Sequence, residues 1–162
     1  MPSASTERTL RVGLISDTHG LLRPEALESL EGSDFIIHAG DIGDAAILDA
    51  LAAIAPVTAV RGNNDTAPWA RRVPHTAVLR AGAAVIYAIH DVAELDVDLA
   101  AAGVQAVVAG HSHKPSVDRR AGVLFVNPGS AGPRRFTLPV SVGRLTVKGR
   151  NVEAELLALA IR

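Results

Sequence analysis

The first sixty residues alternate short apolar runs with amphipathic segments, and this pattern restricts the chain to an α/β fold. β-branched and apolar runs predict three strands, at 10–16, 34–38 and 57–60. The intervening segments predict helices at 24–30 and 44–54. Strands joined by helical crossovers pair in parallel, with right-handed connections. The opening of the chain therefore predicts a parallel β-α-β-α-β unit.

The remainder of the chain predicts a different strand arrangement. Further strands are expected at 76–80, 83–89, 105–109 and 123–126, followed by a hairpin of 140–147 and 152–161. Segment 94–102 predicts a helix that Gly103 ends, although Leu95, Val97 and Leu99 alternate as they would in a strand. Two sheets packed face to face, with the helices outside, accommodate all of these elements.

Length and composition exclude several classes of protein. A chain of 162 residues fits one domain, which we place at 10–162 after a short flexible tail at 1–9. The absence of cysteine excludes disulfides, zinc ribbons and cysteine nucleophiles. A net charge of −1 and 3% aromatic residues disfavour binding to long nucleic acids. No apolar run approaches the roughly 18 residues of a membrane span and no secretory signal is visible, so we expect a cytoplasmic protein without membrane contact.

Polar residues with metal-binding chemistry follow directly after the predicted strands. In an open α/β sheet, ligands bind at the carboxyl ends of the strands, and glycines there let the backbone turn sharply. Any one of these residues has an ordinary structural explanation, such as a helix N-cap for an aspartate or core packing for a histidine. Their joint occurrence favours a common site, with these members: Asp17, His19, Asp41, Asn63, His90, His111 and His113.

The donor set indicates the kind of metal. Two carboxylates, one amide oxygen and four imidazoles suit Mn, Fe, Zn, Co or Ni better than Ca or Mg, which prefer oxygen alone. Seven ligands exceed the usual requirement of one ion and suit two ions that share a carboxylate. Two metals roughly 3.5–4 Å apart can clamp the attacking and leaving oxygens of a phosphoryl displacement. The donor set therefore suits a pair of ions that would favour an anionic phosphate ester.

These motifs, in this order, resemble those of the calcineurin-like metallophosphoesterases, and most closely the small YfcE-like phosphodiesterase branch. The resemblance covers about residues 10–135 and rests on these motifs: Asp17-x-His19, Gly40-Asp41, Gly62-Asn63-x-Asp65, His90 and Gly110-His111-x-His113. It implies a four-layer α-β-β-α sandwich of two mixed β-sheets. It also implies a ligand assignment, with manganese favoured over iron, zinc, nickel or cobalt: Asp17, His19 and His113 for the first ion, Asn63, His90 and His111 for the second, and Asp41 bridging.

The resemblance further implies hydrolysis of a small phosphodiester by a hydroxide that bridges the two metals, with Asp41 and Asn64 as catalytic residues. Many members have a histidine where this chain has Asn64, and an asparagine cannot donate a proton at neutral pH. Asn64 can still bind a phosphate oxygen, which favours diesters with good leaving groups over monoesters. Asp91 stands where the family usually has glycine. Its carboxylate has three open roles: perturbing the second metal, orienting His90, or facing solvent.

Two other functions compete with this interpretation. The retromer subunit of the same family is a non-catalytic interaction scaffold that lacks part of the histidine set, whereas this chain has all four imidazoles. Amidohydrolases share the His-x-His pattern, but their (β/α)₈ barrel needs at least about 200 residues. Unpaired edge strands in two sheets are also compatible with a homo-oligomer.

A few polar residues outside the ligand set have expected structural roles. Asp65 is expected to organise its loop, with Arg61 as its partner. His38 is expected to support the site from behind or to pack in the core, and His75 to lie on the surface. Residues 127–130 (Asn-Pro-Gly-Ser) predict a tight turn.

Overall fold

The computed structural model describes residues 8–161, so the predicted N-terminal tail lies largely outside the described residues. One of its two sheets carries the three strands of the parallel opening unit and the C-terminal hairpin. Its members are β1 (Leu10–Ile15), β2 (Phe35–His38), β3 (Val57–Ala59), β9 (Ser141–Lys148) and β10 (Asn151–Ala158). Their order is β10-β9-β1-β2-β3, in which β1 to β3 are parallel and the hairpin is antiparallel.

The second sheet contains the strands from the middle of the chain. They are β4 (Thr76–Ala81), β5 (Ala84–Ile89), β6 (Ala106–Val108), β7 (Ser116–Arg120) and β8 (Val123–Asn127). Their order is β4-β5-β6-β8-β7, with parallel pairing among the three central strands and antiparallel pairing of both edge strands.

Two helices cover the outer face of the first sheet: α1 (Pro24–Leu30) and α2 (Ala45–Ala52). Asp44 caps α2 as expected, because its side chain accepts a hydrogen bond from the Ala46 amide. Leu30 and Leu51 from these helices are buried against Ile36 of β2. Among the described residues, the outer face of the second sheet carries α3 (Leu99–Ala102) and a 3-10 turn at Val92–Glu94; another 3-10 turn lies at Pro68–Arg72.

The main core lies between the two sheets. Val12 and Ile37 from the first sheet pack against Ile86 and Val108 from the second, and all four are essentially inaccessible to solvent. Alternate residues of β1 and β2 point to the helical side, as the two-residue period of a strand requires. The predicted four-layer sandwich of two mixed sheets is therefore confirmed.

Two elements differ from expectation. The predicted helix at 94–102 is wrong over its first half, because only Leu99–Ala102 is α-helical. Asp98 accepts a hydrogen bond from the Ala101 amide and so starts the helix late, and Gly103 ends it in a left-handed conformation. Strand β7 was not predicted, because all five of its residues are exposed and it has no apolar alternation. Within the described residues, no helix is long and apolar enough to cross a membrane.

The contrast between buried and exposed valines tests the intersheet core. Val12 is fully buried, whereas Val78 on edge strand β4 is 51% exposed. Val12→Ala should lower the free energy of unfolding by about 2 kcal/mol, since it removes two methyl groups and leaves a cavity. Val78→Ala should change it by no more than about 0.5 kcal/mol. Urea denaturation of both variants measures the difference, and equal losses would contradict this description of the core.

Candidate metal centre

Five of the predicted ligands converge where the strands of the two sheets end. Asp17, His19 and His113 form one group whose ligand atoms lie within 4.8 Å of one another, and Asp17, Asp41 and His90 form a second. Asp17 Oδ1 lies 3.4 Å from His113 Nε2 and 3.9 Å from His90 Nε2. Asp41 Oδ2 lies 3.7 Å from His19 Nε2 and 3.3 Å from His90 Nε2. Each carboxylate therefore has an oxygen within 4 Å of a histidine from each group.

Asp17 is anchored through one oxygen and leaves the other free. Its Oδ2 accepts hydrogen bonds from the Ser16 hydroxyl at 2.7 Å and the His111 amide at 3.1 Å. Its Oδ1 is buried and has no hydrogen-bond partner. Burial raises the pKa of this carboxyl, against the opposing effects of the Ser16 hydrogen bond and the nearby imidazoles of His90 and His113. A buried oxygen held in this way is available to a cation.

Asp41 is held by the loop that follows β3. Its Oδ1 accepts from the Asn64 amide at 2.9 Å, and its Oδ2 accepts from the Asn64 side-chain Nδ2 at 3.1 Å. Burial alone would raise the pKa of Asp41, but the adjacent His90 ring, the Asn64 amide and the charge of His19 together bring it below its ordinary value. Asp41 is therefore ionised at neutral pH.

The protonation of His90 is fixed by the opposite sheet. Its Nδ1 lies 2.6 Å from the carbonyl oxygen of Ala39, which can only accept, so Nδ1 carries the proton. Burial would lower the pKa of His90, yet the neighbouring Asp41, the Ala39 carbonyl and Asp17 raise it. The buried Nε2 faces the two carboxylates without a hydrogen bond. An imidazole that donates one N–H to a carbonyl and directs its other nitrogen inward has the orientation typical of metal ligands.

The backbone of the site is unusual. Residues with side chains adopt positive φ at seven positions of the described chain, and five of these are predicted ligands: Asp17, His19, Asp41, His111 and His113, with φ between 46° and 72°. Left-handed backbone at non-glycine residues is energetically unfavourable and clusters at functional sites. Short hydrogen bonds between the loops hold it in place, such as Asp17 N to Gly40 O and His19 N to Asp41 O, both 2.9 Å.

The other two predicted ligands lie at the edge of this cluster. Asn63 and His111 are exposed and, together with His90, line a cavity of about 480 Å³. The rings of His90 and His111 are 5.2 Å apart, and His111 Nε2 lies 3.7 Å from Asp91 Oδ2. Asp91 therefore faces His111 rather than His90, while its other oxygen caps the turn at Ala93. Ligation by Asn63 and His111 stays a prediction.

Comparison with known proteins identifies the family of the chain. Residues 10–150 match the family model of the calcineurin-like phosphoesterase superfamily domain. The chain belongs to the calcineurin-like phosphoesterase superfamily. A probable metallophosphoesterase from Methanocaldococcus jannaschii is 34% identical over 164 residues, which covers 93% of this chain and 82% of the relative.

Solved structures of the superfamily share the fold. An archaeal phosphodiesterase superposes with a TM-score of 0.75 at 21% identity, covering 91% of this chain and 100% of the other. Vps29 from Chaetomium thermophilum superposes with a TM-score of 0.74 at 20% identity, covering 94% and 98% of the two chains. The same architecture thus occurs in a phosphodiesterase and in Vps29.

His38 contacts the loops that carry the candidate ligands and supports the site, as predicted. It is fully buried; its Nδ1 accepts from the Gly40 amide at 3.1 Å, and its Nε2 lies 3.0 Å from the Thr18 hydroxyl. That hydroxyl donates to the Ile42 carbonyl at 2.8 Å, so Nε2 is the nitrogen that carries the proton. Burial, together with the nearby charge of His90, lowers the pKa of His38 to about 3. The neutral ring joins the loops after β1 and β2.

Asp65 organises its loop as predicted, but its expected partner is wrong. Its carboxylate accepts from the amides of Ile42 at 2.9 Å, Gly43 at 3.0 Å and Gly62 at 2.9 Å. These amides satisfy its oxygens, and Arg61 instead contacts His75, with Nη2 2.6 Å from Nε2. Both members of this pair line the cavity beside the metal centre, which the sequence analysis missed. The position of Arg61 directly before the Gly62-Asn63 motif was the available signal.

The turn at 127–130 is confirmed and braces the site. The Gly129 amide donates to Asn127 Oδ1 at 2.9 Å, and Asn127 Nδ2 donates to the Gly110 carbonyl at 2.9 Å. The Ser130 hydroxyl donates to the Asp17 carbonyl at 2.9 Å. The turn thereby fixes the loops that carry Asp17 and His111.

The buried neutral His38 predicts a pH-dependent stability in the metal-free protein. Its pKa is about 3 when folded and about 6.5 when unfolded, so the unfolded chain binds the extra proton between these pH values. The stabilisation of the folded state that depends on a neutral His38 is therefore complete above pH 6.5, and it is lost as the pH falls. The difference in unfolding free energy between the wild type and His38→Asn should shrink by about 2 kcal/mol from pH 7 to pH 5.

Urea denaturation at the two pH values measures this change. Val12→Ala is the control, since it alters no titratable group and its effect should be the same at both pH values. A difference between wild type and His38→Asn that does not vary with pH would rule out a buried neutral His38.

Proposed function

We propose that this chain is a phosphodiesterase that hydrolyses a small phosphodiester with the help of two divalent metal ions. The observation that carries the proposal is a pair of buried ligand atoms, Asp17 Oδ1 and His90 Nε2, which lack hydrogen-bond partners and lie 3.9 Å apart. Leaving buried polar atoms unpartnered costs about 1–3 kcal/mol each. A cation between them would remove that cost, and the oxygen and nitrogen donors around them suit manganese.

The proposed ligand assignment takes its first set from the first group and adds Asn63 and His111 to His90 of the second. Asp17, His19 and His113 would hold one ion, and Asn63, His90 and His111 the other, with Asp41 shared. Such a pair of ions supplies Lewis acidity and an activated water for attack on phosphorus. Asp41 supports the shared position, since its Oδ2 faces His19 and His90 from the two groups at 3.7 and 3.3 Å.

The chain's own residues indicate what kind of ester would react. The side-chain amide of Asn64 donates from Nδ2 to Asp41 Oδ2 and can also donate to a phosphate oxygen. It cannot protonate a leaving alcohol. Esters whose leaving groups depart without a proton should therefore react fastest. The divalent ions outweigh the charge of Asp17 and Asp41, which favours an anionic ester in the site. The archaeal phosphodiesterase of the same fold supports a diester as substrate.

An interaction scaffold is the alternative, because Vps29 has the same fold. The complete set of imidazoles and the orientation of the His90 ring favour the enzyme over the scaffold.

Turnover of bis-p-nitrophenyl phosphate by metal-stripped protein, with and without Mn²⁺, tests the proposal. We expect hydrolysis that depends on Mn²⁺ and exceeds hydrolysis of the p-nitrophenyl monoester. Asp41→Asn and His111→Ala should each lower kcat/KM more than about 100-fold, since the first would remove the negative charge of the proposed shared ligand and the second would remove a proposed ligand altogether. Asp49→Asn is the matched control on the exposed face of α2 and should retain full activity.

Metal content distinguishes a protein that binds metal but is inactive from a protein that binds no metal. Elemental analysis should give two Mn²⁺ per wild-type chain. Two bound ions without turnover of either ester would favour the scaffold. Faster turnover of the monoester would make the chain a phosphomonoesterase, and absence of bound metal would contradict the metal centre itself.

A further inference from the structure

The cavity beside the second group of ligands is larger than one phosphoryl group requires. Its volume is about 480 Å³, within the range of pockets that hold whole small molecules. Asn63, His90 and His111 form the part of its lining that faces the metal centre. The rest of the lining has room for the part of a phosphodiester that is not bound at the metals.

Arg61 provides that lining with a fixed positive charge. Its backbone amide donates to the Pro74 carbonyl at 2.7 Å, and its Nη2 lies 2.6 Å from His75 Nε2. Because a guanidinium only donates, His75 Nε2 is the acceptor in this contact. Arg61 Nε is buried and has no hydrogen-bond partner. Across residues 8–161, no carboxylate oxygen lies within 4.0 Å of this guanidinium.

Within residues 8–161, the acidic residues of the same lining, Asp91 and Glu94, form no ion pair with Arg61. Asp91 is 3.7 Å from His111 and also accepts from the Ala93 amide, and Glu94 is exposed in the turn that Asp91 caps. Asp91 therefore contacts the proposed metal ligand His111, whereas Arg61 contacts His75. Among the described residues, the guanidinium of Arg61 therefore forms no ion pair with a carboxylate.

We propose that Arg61, positioned by His75, binds a second anionic group of the substrate. The substrate class is then a phosphodiester in which one of the two esterified alcohols carries a carboxylate or a further phosphate. A guanidinium presents paired N–H groups that match two oxygens of such an anion. The inference rests on the proposed phosphodiesterase function, and it assigns Arg61 as the residue that selects among diesters.

Three diesters with a common p-nitrophenyl leaving group test the inference. Their second arms are ethyl, 2-carboxyethyl and 2-(trimethylammonio)ethyl, so they differ mainly in charge. With the Mn²⁺-loaded wild type, kcat/KM for the carboxyethyl diester should exceed that for the ethyl diester by about 10-fold, chiefly through KM. Arg61→Gln should reduce this ratio to near one, and Arg61→Lys should keep part of it, because it retains the charge without the paired donors.

Arg72→Gln is the matched control. Arg72 is exposed in the 3-10 turn at Pro68–Arg72 and does not line the cavity, so the ratio and the turnover of the ethyl diester should stay at the wild-type values. Circular dichroism of each variant shows whether it is folded. If Arg61→Gln is unfolded, the charge preference of Arg61→Lys is the test.

Calorimetry gives a second readout that needs no turnover. The Mn²⁺-loaded wild type should bind 2-carboxyethyl phosphate about 10-fold more tightly than ethyl phosphate, and Arg61→Gln should remove this difference. If no diester is hydrolysed but the binding difference is present, the proposed function fails and the anion site stands. If all three diesters turn over equally and the binding difference is absent, the anion site fails alone.

Two further outcomes would overturn the assignment of Arg61. Preference for the trimethylammonio arm would show that Asp91 and Glu94 set the specificity. An equal loss of kcat/KM on all three diesters in Arg61→Gln would show that Arg61 acts on the transferred phosphoryl group instead.

Discussion

Hydrogen bonds that cross from one sheet to the other hold the candidate metal centre together. Asp17 of the first sheet accepts from the His111 amide of the second, and His90 of the second donates to the Ala39 carbonyl of the first. The apolar core between the sheets contributes most of the burial, but burial is not directional. These directional bonds therefore set where the strand ends of the two sheets lie relative to one another, and every candidate ligand depends on that alignment.

The two carboxylates of the centre are chemically different even without a metal. Asp17 has a raised pKa because it is buried, whereas hydrogen bonding and adjacent imidazoles give Asp41 a lowered one. Their supports differ in the same way: Asp17 is held by its neighbour Ser16 and by the opposite sheet, and Asp41 by both donors of Asn64. Asn64 thus holds the carboxylate that we propose is shared by two metals, and it is also the residue that we propose favours diesters.

Local sequence signals predicted most of the elements and the convergence of five candidate ligands, but not the contacts between distant loops. The strands of the core, the cap at Asp44 and the turn at 127–130 follow from apolar periodicity and turn chemistry. Strand β7 pairs through its backbone while its side chains face water, so no pattern marks it. The Arg61–His75 contact joins two loops that meet only after the sheets pack, and the expected Arg61–Asp65 pair failed because backbone amides had already satisfied Asp65.

The left-handed backbone at five candidate ligands restricts what can replace them. Aspartate, asparagine and histidine are the side chains that adopt this conformation most readily, and glycine adopts it without cost. Replacement of Asp17 by asparagine would therefore keep the left-handed backbone and an oxygen that accepts from the His111 amide, while removing the charge of a proposed metal ligand. A lineage that carries this fold can lose its chemistry by single substitutions and keep its architecture, which leaves the sandwich free to be selected for other purposes.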